Sequence, residues 1–180
     1  MTGKIICSGF GGQGIMVMGK FLSYVALEGD KFTTYLPTYG AEVRGGTAHC
    51  MVTISDNEIY SPYIAEADAV IVMNEPSMRK FENRIKKEGL LIINKSLVNA
   101  KTKRDDLKIV EVPFTDIAAK LGNIKCANTV ALGTYFSISS IASKKDIYSV
   151  LNKMLAGLRP EIFEVNQKAI EEGFSYDKPR

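Results

Sequence analysis

The sequence predicts an α/β fold: one three-layer domain over residues 1–180, with a mostly parallel sheet and a short β-hairpin excursion. Three observations carry this. Short apolar runs alternate with helix-period segments along the chain, the pattern of strands crossing over through helices. The first run, Ile5-Ile6-Cys7, leads through a glycine-rich turn straight into a helical pattern. The run Ala69-Val70-Ile71-Val72-Met73 is continuously apolar, as a strand covered on both faces must be.

Lys4 to Ser8 reads as the first strand and Gly14 to Leu27 as its helix, with Ile15, Met18, Leu22, Val25 and Ala26 on one face and Gly29 ending it. Phe32 to Leu36 is the second strand, stopped by Pro37. Thr47 to Ser55 alternates with period two, Ala48, Cys50, Val52 and Ile54 against Thr47, His49, Met51 and Thr53. Asp56-Asn57 then predicts a turn into Glu58-Ile59-Tyr60, the expected hairpin. After the strand at 69–73, Pro76 starts a helix to about Lys87. Leu90 to Asn94 and Leu107 to Val112 are further strands, joined by a charged loop. Thr115 is expected to cap a short helix ending at Gly122, and Asn128 to cap a mostly apolar helix to about Ala142. In that helix Gly133 predicts a close backbone contact. Ser143 with Asp146 forms a capping pair for an amphipathic helix reaching Leu158. Pro160 opens a last helix through Ile170, and residues from Gly173 on read as a tail.

Composition narrows the function classes. The chain has 180 residues, 46% of them hydrophobic and 24% charged, and a net charge of +3. Those are values of an ordinary globular chain, with no basic cluster for nucleic acid and no apolar run long enough to span a bilayer. The first residues run directly into the first strand without a signal-peptide pattern, so a cytoplasmic protein is expected. The 3 cysteines, Cys7, Cys50 and Cys126, form no C-x-x-C pair, and there is 1 histidine. Such a chain is not expected to hold an iron–sulfur cluster or a structural zinc by itself.

The glycine turn Gly9-Phe10-Gly11-Gly12-Gln13-Gly14 has the spacing of a Rossmann-like phosphate-binding loop, in which backbone N–H groups at a helix start cradle an anion. The same glycines also serve a helix that packs tightly on its sheet, whatever it binds. Gln13 sits in the first helical turn, where its amide can donate and accept toward the loop mouth. The acid that holds an NAD ribose at the end of the second strand is missing, because that end reads Thr34-Tyr35-Leu36-Pro37-Thr38. No arginine stands there for a 2′-phosphate. In its place comes Tyr39-Gly40-Ala41-Glu42-Val43-Arg44-Gly45-Gly46, expected at the same sheet edge. Arg44 can fork onto a carboxylate or phosphate, or pair locally with Glu42 to brace the loop. His49, mid-strand, has no visible orienting partner for acid–base work and reads as structural. Asn128, primarily a cap, can also meet a ligand at that edge.

These loops, with Ser61-Pro62, Asp68, Asn74, the stretch Asn128 to Leu132-Gly133 and the closing Asn166 to Gly173, resemble the gamma subunit of 2-oxoacid:ferredoxin oxidoreductases over nearly the whole chain. Ala41 departs from the proline usual in that family, which loosens the turn without removing either charge. The resemblance implies an assembly that oxidatively decarboxylates a 2-oxoacid to an acyl-CoA and passes electrons to ferredoxin. It implies alpha and beta partner subunits, and in some forms a delta subunit. Thiamine diphosphate and the iron–sulfur clusters would lie on those partners, with coenzyme A as cosubstrate and no cofactor bound by this chain alone. It assigns Gly9, Gly11, Gly12, Gln13 and Gly14 to a loop meeting the cosubstrate or a neighbouring subunit. Tyr39, Glu42, Arg44, Gly45, Gly46 and Asn128 form the adjoining wall. The length looks most like the 2-oxoglutarate type, with branched-chain and pyruvate types open. The rival readings are a stand-alone nucleotide-binding sensor or regulatory module, resting on the glycine loop alone, and more weakly an independent dehydrogenase.

Overall fold

The computed structural model describes residues 2–38 and 47–176. Its strands are β1 (Thr2–Phe10), β2 (Phe32–Thr38), β3 (Thr47–Ser55), β4 (Ala67–Val72), β5 (Ile85–Asn94) and β6 (Lys108–Val112). Its helices are α1 (Ile15–Glu28), α2 (Glu75–Phe81), α3 (Phe114–Lys120), α4 (Ala127–Ile138), α5 (Lys144–Leu155) and α6 (Pro160–Ser175). The strands form a single six-stranded sheet in the order β2-β3-β1-β4-β5-β6. β1, β4, β5 and β6 run parallel, while β3 is antiparallel to both its neighbours, β1 and β2.

The expected α/β architecture is therefore present with a more mixed sheet, and the hairpin lies elsewhere. No strand forms at Glu58–Tyr60. β2 and β3, adjacent and antiparallel, make the hairpin instead, and β3 wedges between β2 and β1. The period-two alternation of β3 is real, with Cys50, Val52 and Ile54 in one core layer and Met51 in the other. Both faces are buried because helices lie on both sides of the sheet. The larger layer holds α1, α3, α4, α5 and α6 against Ile5, Cys7, Ile71 and Ile92, and the smaller packs α2 through Met78 and Phe81 onto Ile6, Val70 and Leu91.

Several boundaries differ from expectation for local reasons. β1 continues through Gly9 and Phe10, because Phe10 still pairs with Thr47. α2 stops at Phe81 and passes through a 3-10 turn, Glu82–Arg84, into a longer β5. Thr115 is not a cap, since α3 begins at Phe114 after Pro113. Nor is Asn128: a 3-10 turn at Ile124–Cys126, capped by Asn123, runs directly into α4 and leaves Asn128 inside its first turn. Ser143 does cap α5, accepting from Asp146 N at 3.2 Å, but the helix ends before Leu158. Gly173 is helical, not tail. It faces Gly133, where an added Cβ on either glycine would overlap the other helix's backbone, so α4 and α6 cross in backbone contact as Gly133 predicted.

Candidate functional site

The carboxyl ends of β1, β4 and β5 meet the starts of α1, α2 and α3 at one edge of the sheet, where ligands of open α/β folds collect. Thr38 and Thr47 flank the 39–46 segment, and Thr47 pairs with Phe10 at the start of the glycine turn. Tyr39, Glu42, Arg44, Gly45 and Gly46 themselves lie outside the described residues.

The glycines of the turn divide into two kinds. A Cβ on Gly9 would stand 2.6 Å from Gln13 Oε1 and 2.9 Å from Met73 Cβ, so Gly9 is there to let β1 and β4 close together. Gly14 is left-handed at φ 74°, and a Cβ there would overlap the Asn128 amide. Gly11 and Gly12 are different: they are exposed, and among the described residues nothing lies within 4 Å of a Cβ on either. Gly12, at φ 89°, also needs the left-handed region that favours glycine. The backbone at Gly11-Gly12 is thus the open stretch of the turn.

Gln13 is committed inward. Its Oε1 accepts from Phe10 N at 2.6 Å and from Asn74 Nδ2 at 3.2 Å, while its Nε2 donates to Met73 O at 3.3 Å. Asn94 extends the belt, its Nδ2 donating to the same Met73 carbonyl at 3.3 Å and to Thr115 Oγ1 at 2.9 Å. Asn74 caps α2 by accepting from Ser77 N at 3.0 Å, and Ser77 meets Ser8 hydroxyl to hydroxyl at 3.0 Å. These amides and hydroxyls tie the ends of β1, β4 and β5 to three helix starts. Behind the turn Asn128 accepts from Thr129 N at 2.9 Å and reaches Gly14 O at 3.5 Å, and Thr129 Oγ1 donates to Asn166 Oδ1 at 2.7 Å. Asn128 therefore buttresses Gly14.

Sequence reasoning missed Asn94 and read Thr115 only as a cap. The available signal was an amide side chain ending each of two buried apolar runs, Met73-Asn74 and Ile93-Asn94. In front of the belt lies a cavity of about 190 Å³ lined by Gly12, Gln13, Met73, Leu97, Ile124 and Lys125, among others. Leu97 and Ile124 are exposed aliphatic walls, and Lys125 is the cation at its rim. A larger hollow of about 500 Å³, lined by Met78, Arg79, Glu82, Lys101, Lys103 and Arg104, lies away from the turn. There Arg104 is already held by both oxygens of Asp106 at 2.6 Å.

His49 is buried, with its ring 4.9 Å from that of Phe81 and its Nδ1 without a hydrogen-bond partner among the described residues. Burial, followed by the nearby charges of Lys80 and Arg84, lowers its pKa. Cys7 and Cys50 are direct cross-strand neighbours with no exposed surface. A hydrogen bond to Cys50 and burial push the Cys7 thiol well up, away from the reactive thiolate. Among the described residues no three His, Cys, Asp or Glu side chains gather where they could hold a metal ion. Nor is any described helix long and apolar enough to cross a membrane. The belt can position and it can offer backbone dipoles, but it holds no titratable group.

Fold and edge together define an α/β domain with a glycine turn whose open backbone faces outward from a rigid amide frame. Residues 4–176 match the family model for pyruvate ferredoxin/flavodoxin oxidoreductase, and the chain belongs to that family. It is 31% identical over 182 residues to the 2-oxoglutarate synthase subunit KorC of Methanocaldococcus jannaschii, covering 99% of this chain and 95% of that one. To the ketoisovalerate oxidoreductase subunit VorA of Methanothermobacter marburgensis it is 28% identical over 94% of its own length, but it spans only 35% of VorA. The gamma subunit of a keto/oxoacid ferredoxin oxidoreductase from Geobacter sulfurreducens superposes with a TM-score of 0.82 at 26% identity, covering 96% of both chains. The 2-oxoglutarate:ferredoxin oxidoreductase of Magnetococcus marinus, solved with 2-oxoglutarate, coenzyme A and succinyl-CoA bound, shares the fold at a TM-score of 0.89 and 19% identity. This chain spans 33% of it.

Proposed function

We propose that this chain is the gamma subunit of a cytoplasmic 2-oxoacid:ferredoxin oxidoreductase, acting as a single domain and without catalysis of its own. The observation that carries the reading is the end-to-end likeness to a gamma subunit of that class, with 96% of each chain covered. Alpha and beta subunits, with a delta subunit in some assemblies, would supply thiamine diphosphate, the iron–sulfur clusters and the route to ferredoxin. The 2-oxoacid favoured is 2-oxoglutarate, supported by the identity and near-equal length shared with KorC. Coenzyme A is the cosubstrate assigned to the glycine edge.

In this reading the exposed Gly11-Gly12 backbone meets the cosubstrate's phosphates or the neighbouring subunit, with Lys125 supplying positive charge at the rim. Gly9, Gln13, Gly14 and Asn128 are positioning residues that hold the turn in shape. Glu42 and Arg44, with Tyr39, Gly45 and Gly46, form the second wall, Arg44 forking onto an anionic group.

The test is reconstitution. The chain co-expressed with its alpha and beta subunits should co-purify and give 2-oxoglutarate-dependent, CoA-dependent reduction of ferredoxin. Arg44→Ala should lower that turnover or loosen the complex, and unchanged turnover with unchanged assembly removes Arg44 from the site. Recovery of the chain only as a monomer, with tight adenine-nucleotide binding by calorimetry, would favour the sensor reading instead.

A further inference from the structure

The net charge of +3 conceals an uneven distribution. Residues 79–104 hold 9 of the chain's 23 Lys and Arg but 2 of its 20 Asp and Glu, so the rest of the chain is net acidic. Folding brings part of this excess to a concave surface. Arg79, Lys101, Lys103 and Arg104, from α2 and the 95–106 loop, line the hollow of about 500 Å³, with Glu82 as the one carboxylate among its lining residues. A recess walled mainly by one sign of charge focuses its field on what enters. It shares no lining residue with the cavity at the glycine turn.

The loop that supplies the lysines is held at both ends. Val98 is fully buried in the smaller core layer. Beside it Glu75, at the start of α2, pairs with Arg79 at 2.5 Å, and that hydrogen bond, backed by the Ala100 and Asn99 backbone, lowers the Glu75 pKa. At the far end Arg104 holds both oxygens of Asp106 and donates to Glu82 O at 3.1 Å and Ile85 O at 2.9 Å. Both arginines are thus engaged. Glu82 is turned in as well, its Oε2 buried without a hydrogen-bond partner among the described residues. Lys101 and Lys103 are exposed and make no ion pair among the described residues.

We propose that this hollow binds a small molecule carrying two or more phosphate groups, with Lys101 and Lys103 as its free cations. The proposal stands independently of the gamma-subunit reading. Charge selects an anion, and the donors left free select its type. The guanidinium forks that recognise planar carboxylates are already engaged by Glu75 and Asp106. What remains are two ammonium groups, compact charges that suit phosphate oxygens. The volume falls within the range of small-ligand sites, about 300–1,000 Å³. No aromatic side chain is among the described residues that line it, so it lacks the stacking platform of a single-stranded nucleic-acid site. A ligand there bridges α2 and the loop, and because only the folded chain presents the hollow, binding stabilises the fold.

The test is calorimetry of the full chain at about 0.1 M salt, where only nearby charges act, with tripolyphosphate as probe. Wild type should bind the probe saturably and unfold at a higher temperature in its presence. Lys101→Gln/Lys103→Gln should weaken binding by about tenfold or more, as loss of two charge-assisted contacts does. Lys120→Gln/Lys145→Gln removes the same charge from exposed positions elsewhere and should change it by less than about twofold. Coenzyme A titrated alongside separates two sources of phosphate groups. If its affinity falls with Lys101 and Lys103, the cosubstrate is the occupant; if not, the occupant is another phosphate compound, and either result supports the site. Absence of saturable binding, or equal weakening by the two double variants, overturns it. So does loss of the probe in Lys125→Gln alone, which places the anion at the glycine turn. A single-stranded oligonucleotide that outcompetes the probe at the same lysines overturns the small-molecule occupant. Subunit assembly is read separately by co-purification.

Discussion

Gly14 offers the sharpest check on the frame behind the glycine turn, because Gly12 provides its control. Both residues are left-handed, at φ 74° and 89°. An alanine at either therefore pays the strain of a Cβ in that region, about 1–2 kcal/mol. At Gly12 the new methyl meets nothing within 4 Å among the described residues, so strain is the cost to be expected. At Gly14 it overlaps the amide of Asn128, whose Oδ1 is fixed by Thr129 N at 2.9 Å. Crowding a packed group in this way adds about 1–3 kcal/mol, so Gly14→Ala should cost about 2–5 kcal/mol in all. With a urea dependence of about 2 kcal/mol/M, the unfolding midpoint should fall by about 1–2.5 M for Gly14→Ala and about 0.5–1 M for Gly12→Ala. Asn128→Ala removes the overlapping atoms, so in the Gly14→Ala background it should recover most of the difference, a positive coupling in a double-mutant cycle. Equal midpoints for the two glycine variants, or additive Gly14→Ala and Asn128→Ala, would refute the claim that Asn128 buttresses the turn.

Further outcomes follow from the same contacts. Gln13→Ala strips the acceptor from Phe10 N and Asn74 Nδ2, while Met73 O keeps Asn94, and should destabilise by about 2–4 kcal/mol in urea unfolding through the two donors left unmet. Gly133→Ala drives a methyl into the Ile170 carbonyl, which being backbone cannot swing away. A loss of about 3 kcal/mol, or a Tm lower by about 6–12 °C in calorimetry, is expected. His49 gives a pH signature: its folded pKa lies below the ordinary 6.5, so the unfolded chain takes up the proton first. Its contribution to stability is present above pH 6.5 and is lost as pH falls from there through the folded pKa. His49→Phe should flatten the stability slope between pH 7 and 5, and an unchanged slope would place the titration elsewhere.

The parts of this molecule legible in its sequence are those fixed by local pattern. The apolar run at Ala69–Met73 could only be an interior strand, Gly133 could only excuse a close approach, and Ser143 with Asp146 could only start a helix. What stayed hidden depended on partners distant in sequence. Period two reads the same in a parallel and an antiparallel strand, so β3 gave no sign that it would insert between β2 and β1. Its two-sided burial comes from helices elsewhere. Asn128 looked like a cap because nothing local shows that Asn123 starts the turn one step earlier. Gln13 looked free to meet a ligand because its donor and acceptor partners, Asn74 and Met73, lie about sixty positions away.

That last displacement changes what the edge can be. If Gln13 faced outward, the turn would present a polar side chain suited to orienting a reacting group. With its amide spent on Phe10, Met73 and Asn74, and with Asn94 spent on Met73 and Thr115, the side chains of the belt satisfy one another. The frame is stiff because each buried polar atom in it that pulls away loses a partner, and it holds no group that titrates. Among the described residues, what remains open is main chain at Gly11-Gly12, with Lys125 and two aliphatic walls beside it. Such a surface can bind and align a ligand. A frame of this stiffness keeps the open main chain in one geometry for whatever it meets.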